Sequence, residues 1–316
     1  MSPAGKRPLR RTGLVVPLLV AALGVSGCTS GDAASPGEQR TTSSPSRSTD
    51  PSAAAPAYAH YVALGDSYSA GPLIPTTDLA GGCLRSDHNY PSLVARRLGV
   101  RVFTDATCSG AGTRDLTRAQ HPFEGSTIPP QLSSLSKSTD LVTVGIGGND
   151  LNLFGTLIRT CTDLRAQDPT GSPCTKQLAA LGPDLDATTA TISANVAEAL
   201  RAIRKRAPRA EILLVGYLRL VPDRGTCPAL PLADGDYAEG RRISRALDHA
   251  LRRAARRVHT RFVDAYALSR GHDICSAEPW VNGRVTDRQR ALAYHPLATG
   301  MRAVADRVLA SLEAEG

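Results

Sequence analysis

The chain has 316 residues, 41% of them hydrophobic, and carries 37 Lys+Arg against 29 Asp+Glu, a formal net charge of +8. That length supports one substantial core or two small ones. No dense Lys/Arg run with interleaved aromatics occurs, which argues against nucleic-acid binding, and the clusters "RAIRKRAPR" and "LRRAARRVH" read as solvated helix faces.

Residues 1–28 read as an export signal. A basic start, "KRPLRR", holds Lys6, Arg7, Arg10 and Arg11, and without those four the charge balance falls to 33 against 29. The apolar run that follows, Gly13 to Val25, is roughly 20 Å long as a helix, too short to span a bilayer. It ends in "VSGC", which resembles a bacterial lipobox and implies lipidation of Cys28. The expected location is therefore an extracellular membrane anchor through Cys28, with simple secretion as the alternative. Residues 29–57 are rich in Ser, Thr, Pro and Ala and nearly lack large apolar groups, so they read as a disordered tether. The folded domain is expected over residues 58–316.

From there, short apolar runs alternate with helical periods. "YVALG" at 61–65 reads as a buried strand, and "NYPSLVARRLG" at 89–99 as a helix closed by glycine. Further strands are expected at 100–106, 140–148, 211–217 and 260–266, the third apolar on both faces as a central parallel strand is. Ile192, Val196, Leu200 and Ile203 share one helix face, and Ile243, Leu247 and Leu251 share another. Met301, Val304, Val308 and Leu312 mark a closing helix. This alternation implies βαβ units, a mostly parallel sheet and a site at the carboxyl ends of its strands.

Six cysteines follow Cys28, and an even count in an exported chain favours disulfides. Fifteen pairings are open. The nearest-neighbour set, Cys83–Cys108, Cys161–Cys174 and Cys227–Cys275, closes three modest loops and is the one expected. No CxxC or tight Cys/His cluster occurs, so no metal is expected.

The chemistry-bearing residues fall at the strand ends. Ser67 follows the first strand in "GDSYSAG", where it is either a helix N-cap or a nucleophile. Gly110 follows the second in "TCSGAG", and its backbone N–H is open to close approach. Asn149 follows the third in "GGND" and offers a side-chain donor. His295 stands in "YHP" at the entrance to the last helix, with Pro296 in the first turn. Asp66 and Asp150 read as caps that brace their loops. Trp280 reads either as a pocket wall or as a buried anchor.

These four motifs, in this order across residues 60–314, resemble the SGNH hydrolases, the GDSL esterase/lipase family, and especially its secreted actinobacterial lipases and esterases. The resemblance implies a flavodoxin-like three-layer α/β/α sandwich and a cofactor-free serine hydrolase. It implies Ser67 as nucleophile, His295 as general base, and an oxyanion hole from the Ser67 and Gly110 N–H groups and the Asn149 side chain. Most members carry an acid three residues before the histidine, where this chain has Leu292. The expectation is a Ser67–His295 dyad held by the Leu292 main-chain carbonyl, with Asp287 as the competing acid. The substrate expected is a small-molecule or lipid ester, favoured by the apolar loop "AGPLIP", and the protein is expected to act as a monomer. A carbohydrate O-acetylesterase, acyl transfer to an alcohol, and a non-catalytic binding lipoprotein are the other readings.

Overall fold

The computed structural model describes residues 57–122 and 125–314. The export signal, Cys28 and nearly all of the tether lie outside those residues. Among the described residues five strands form, β1 (His60–Gly65), β2 (Val102–Asp105), β3 (Leu141–Gly145), β4 (Glu211–Val215) and β5 (Arg261–Val263). All pair in parallel in the order β2-β1-β3-β4-β5. This is the flavodoxin-like arrangement, whose order reverses beside β1. The strands stop short of the expected 100–106, 140–148, 211–217 and 260–266, because their last residues already turn into loops at the carboxyl edge.

The helices are α1 (Ser67–Ala70), α2 (Tyr90–Leu98), α3 (Leu153–Gly155), α4 (Cys161–Leu164), α5 (Pro173–Leu181), α6 (Leu185–Arg206), α7 (Tyr237–Arg257), α8 (Ala265–Leu268) and α9 (Ala298–Glu313). Right-handed crossovers decide their faces: the chain leaves β1 for one edge of the sheet and leaves β3 for the other. So α2 and α9 pack together in one outer layer, and α6 and α7 in the other. The glycine expected to close α2 does so, and Asn89, read from the sequence only as part of that helix, caps its start. Asn89 accepts the Ser92 N–H at 2.9 Å, and Gly99 ends α2 at φ 61°. Ile192, Val196, Leu200 and Ile203 are all buried under α6. Residues 61–65 of β1 and 141–145 of β3 are buried on both sides, as a two-sided parallel sheet demands.

Three disulfides tie down the loops: Cys83–Cys108 links the segments after α1 and β2, Cys161–Cys174 links α4 to α5, and Cys227–Cys275 links the segments after β4 and β5. The tightest approach is at the end of β1. Gly65 has φ +146°, and a Cβ there would lie 2.5 Å from the Gly145 carbonyl oxygen and 2.6 Å from Ser69 Oγ. Both Gly65 backbone groups are also gripped by the Gln131 side chain, at 2.8 and 2.9 Å. Gly65→Ala is therefore expected to cost about 2–4 kcal/mol of stability, from backbone strain plus overlap. Urea unfolding of the purified variant measures this as a lowered midpoint at unchanged slope.

Candidate active site

Because β1 lies between β2 and β3, the loops carrying Gly110 and Asn149 flank the one carrying Ser67. Backbone bonds stitch them together: Asp66 N–H donates to the Gly145 carbonyl and Cys108 N–H to the Gly65 carbonyl, both at 2.9 Å. Asp66, at the N-cap of α1, accepts from the Tyr68 N–H at 2.9 Å. Its other oxygen accepts from the Tyr217 hydroxyl at 2.5 Å, and that hydroxyl in turn accepts from the Gly148 N–H at 2.8 Å. Burial pushes the Asp66 carboxyl up to about 7, while the Tyr217 and Tyr68 donors hold it back. Asp66 thus acts as the brace expected of it, joining the loops after β1, β3 and β4.

Ser67 takes the first helical position of α1, where a backbone N–H has no intrahelical partner. Its side chain meets His295, with Nε2 at 2.8 Å from Ser67 Oγ. On the far side of the ring, Nδ1 lies 2.7 Å from the Ala293 carbonyl oxygen. That oxygen can only accept, so Nδ1 carries the proton and Nε2 presents its lone pair to the hydroxyl. Desolvation pushes the imidazole down to about 4, with the Ala293 carbonyl opposing the shift.

The carbonyl at the imidazole corrects an expectation. Leu292 does not hold the ring: its oxygen accepts the His295 backbone N–H at 3.2 Å, closing a turn, and the Asn282 side chain at 3.3 Å. Within that turn Tyr294 adopts φ 61°, which swings the Ala293 carbonyl to the ring instead. Asp287 is also displaced from the expected alternative role. Its carboxylate accepts the Gln289 N–H at 2.9 Å within its own hairpin and makes no bond to His295.

Gly110 and Asn149 line a cleft of about 380 Å³ together with Thr113, Asp150 and Leu151. Gly110 has φ +81°, and its N–H donates to no group among the described residues. The Asn149 side chain donates to the Ala111 carbonyl at 2.9 Å, which leaves its second amide hydrogen for a ligand. Asp150 accepts the Thr113 N–H at 2.8 Å and the Thr113 hydroxyl at 2.6 Å, so it braces the Gly110 loop as expected.

Several positioning residues carried no signal in the sequence. The Tyr68 hydroxyl donates to the Tyr294 carbonyl at 2.7 Å, bolting the histidine loop to the helix of the serine. The Tyr68 ring also stacks on Phe154 and lies edge-on to Tyr217. Asn282 donates its N–H to the His295 carbonyl at 2.8 Å, and its side-chain amide, with two hydrogens, is shared among the Val285, Ala291 and Leu292 carbonyls at 2.9, 3.0 and 3.3 Å. Trp280 stacks on His272 with ring centroids 4.0 Å apart and lines a separate cavity with Ile74 and Leu297. Among the described residues no cluster of His, Cys, Asp or Glu is arranged to hold a metal ion.

A small hydroxyl facing a neutral imidazole at the carboxyl edge of a flavodoxin-like sheet defines a class of hydrolase. Residues 63–303 match the GDSL-like Lipase/Acylhydrolase family, and the chain belongs to it. It is 39% identical over 268 residues to Lipase 2 of Streptomyces coelicolor, covering 81% of this chain and 88% of that one. Among solved structures it resembles phospholipase A1 from Streptomyces albidoflavus NA297, with a TM-score of 0.66 and 29% identity over 81% of this chain and 99% of that one. An extracellular lipase from Streptomyces rimosus aligns with a TM-score of 0.65 and 29% identity over 80% of this chain and 99% of that one. The protein is a carboxylic-ester hydrolase.

Tyr68→Phe removes the donor to the Tyr294 carbonyl without emptying the ring's site. It is expected to cost about 1–3 kcal/mol of stability and to slow ester hydrolysis about tenfold as the imidazole loses its fixed position. Urea unfolding and steady-state rates on a soluble ester measure the two effects.

Proposed function

We propose that the protein is an exported, membrane-tethered lipase or esterase that hydrolyses acyl-lipid esters through an acyl-enzyme on Ser67. The observation that carries this reading is the pair of bonds on His295, 2.8 Å from Nε2 to Ser67 Oγ and 2.7 Å from Nδ1 to the Ala293 oxygen. A serine hydroxyl is a weak nucleophile near neutral pH, and a neutral imidazole at this distance can take its proton. Ser67 Oγ attacks the ester carbonyl as its proton passes to Nε2. The oxyanion is held by the Ser67 N–H, the Gly110 N–H and the Asn149 side chain. Nε2 then protonates the leaving alcohol, and water releases the acid by the same route. The Ala293 carbonyl keeps the ring in its tautomer but supplies no full charge to the imidazolium. The lipid preference draws support from the lipase and phospholipase relatives. Export and the Cys28 anchor rest on residues 1–28.

Ser67→Ala is expected to abolish hydrolysis of p-nitrophenyl esters while the fold persists. Retained activity in a folded variant would sink the reading. Asn149→Ala should lower kcat by about 100- to 1,000-fold, the usual cost of one oxyanion donor. Asp287→Asn should leave the rate within about twofold, and a hundredfold loss would restore Asp287 as the acid.

The pH profile follows from the imidazole. The active form is neutral, and its protonation is shifted down to about 4 in the free enzyme. The acid limb of kcat/KM should therefore fall with a midpoint near 4, well below the value of about 6.5 for a solvated imidazole. A midpoint near 6.5 that persists in Asp66→Asn, which removes the other group raised into this range, would contradict this environment.

A further inference from the structure

We propose that the groove between α5 and the first turns of α6 and α7 receives the acyl chain of the ester, with Leu151 at its entrance. This rests on the reading above, in which the reacting carbonyl sits against Gly110 and Asn149. The groove holds about 360 Å³, and its apolar lining includes Leu153, Leu178, Ala179, Leu185 and Ile243. Leu151 lines both this groove and the cleft that holds Gly110 and Asn149, so one side chain borders both spaces, while Ser67 and His295 line neither.

The backbone at the junction is built for that role. Leu151 and Asn152 are consecutive left-handed residues, at φ 52° and 57°. Leucine rarely adopts this conformation, whereas asparagine is among the residues that adopt it most readily. The turn leaves Leu151 56% exposed, while Leu153 and Phe154 return to the core.

The charged residues on the rim each hold a hydrogen bond already. Arg242 donates to both Glu239 oxygens at 2.8 and 2.7 Å, and Asp184 accepts the Asp186 N–H at 2.9 Å as the cap of α6. A charged headgroup would have to compete with those bonds. A hydrocarbon chain needs only the apolar floor, and each methylene buried there gains about fourfold in binding. The cavity beside Trp280, of about 410 Å³, shares no residue with the oxyanion cleft. It has no comparable continuity with the site of the carbonyl.

The test is kcat/KM of the purified protein across p-nitrophenyl esters from acetate to dodecanoate. In the wild-type protein the value should climb by up to about fourfold per methylene and then level as the groove fills. Ala179→Trp, which fills the groove, and Leu178→Gln, which makes its floor polar, should each lower the decanoate-to-acetate ratio at least tenfold. A ratio corrects for any loss of folded protein. The proposal is overturned by a flat wild-type profile, or by an unchanged ratio in both variants. It is also overturned if the variants instead alter selectivity among acetate esters of longer alcohols, which would give the groove to the alcohol. Ser67→Ala assayed on the acetate ester tests the catalytic reading separately, because that substrate has no chain to enter the groove.

Discussion

The hydrogen bond between His295 Nε2 and Ser67 Oγ joins groups 228 residues apart, and the rest of the site is organised around keeping it at 2.8 Å. A contact that short tolerates little play between the two loops that bear it. The fold removes that play by locking each loop to the other. Tyr68, next to the serine, donates to the backbone next to the histidine. Asn282 gathers the histidine loop through bonds to its carbonyls, and the Asp66–Tyr217–Gly148 chain fixes the serine loop to its neighbours. The sheet supplies the frame. Because β1 is central, everything attached to its carboxyl end is within reach of the loops on either side.

The same contact explains the electrostatic character of the site. A carbonyl dipole, rather than a carboxylate, faces Nδ1, so only a dipole and no full charge opposes the desolvation of an imidazolium. The ring is neutral over a wide pH range and ready to accept a proton. The corresponding cost in the proposed reaction is a less stabilised ion pair during attack, which places more of the demand on the oxyanion donors. Asp66, although adjacent to the serine, does not fill the missing role. Its oxygens are taken by Tyr217 and the Tyr68 N–H, and it serves the backbone.

Much of this was legible in the amino-acid order because it is local. Strand and helix periods, the Gly99 cap, and a glycine at the end of β1 follow from backbone and burial rules that act over a few residues. The residues at the strand ends were legible as candidates for the same reason. The choice between Leu292 and Ala293 was not. It turns on a single left-handed residue, Tyr294, and a one-residue change in which carbonyl meets the ring leaves no trace in composition or period. Tyr68 and Asn282 were hidden differently: their bonds span 226 residues in one case and converge on a hairpin in the other.

The sequence by itself determined the class of fold, the order of its strands and helices, and the side chains available at the sheet's carboxyl edge. These depend on short-range periodicity and on residue chemistry. Only the tertiary structure decided which groups meet, which carbonyl orients the imidazole, and that Leu151 borders both the groove beside α5 and the cleft of Gly110 and Asn149. Those outcomes depend on distances between segments far apart in the chain, which are set once the sheet and its two helical layers pack.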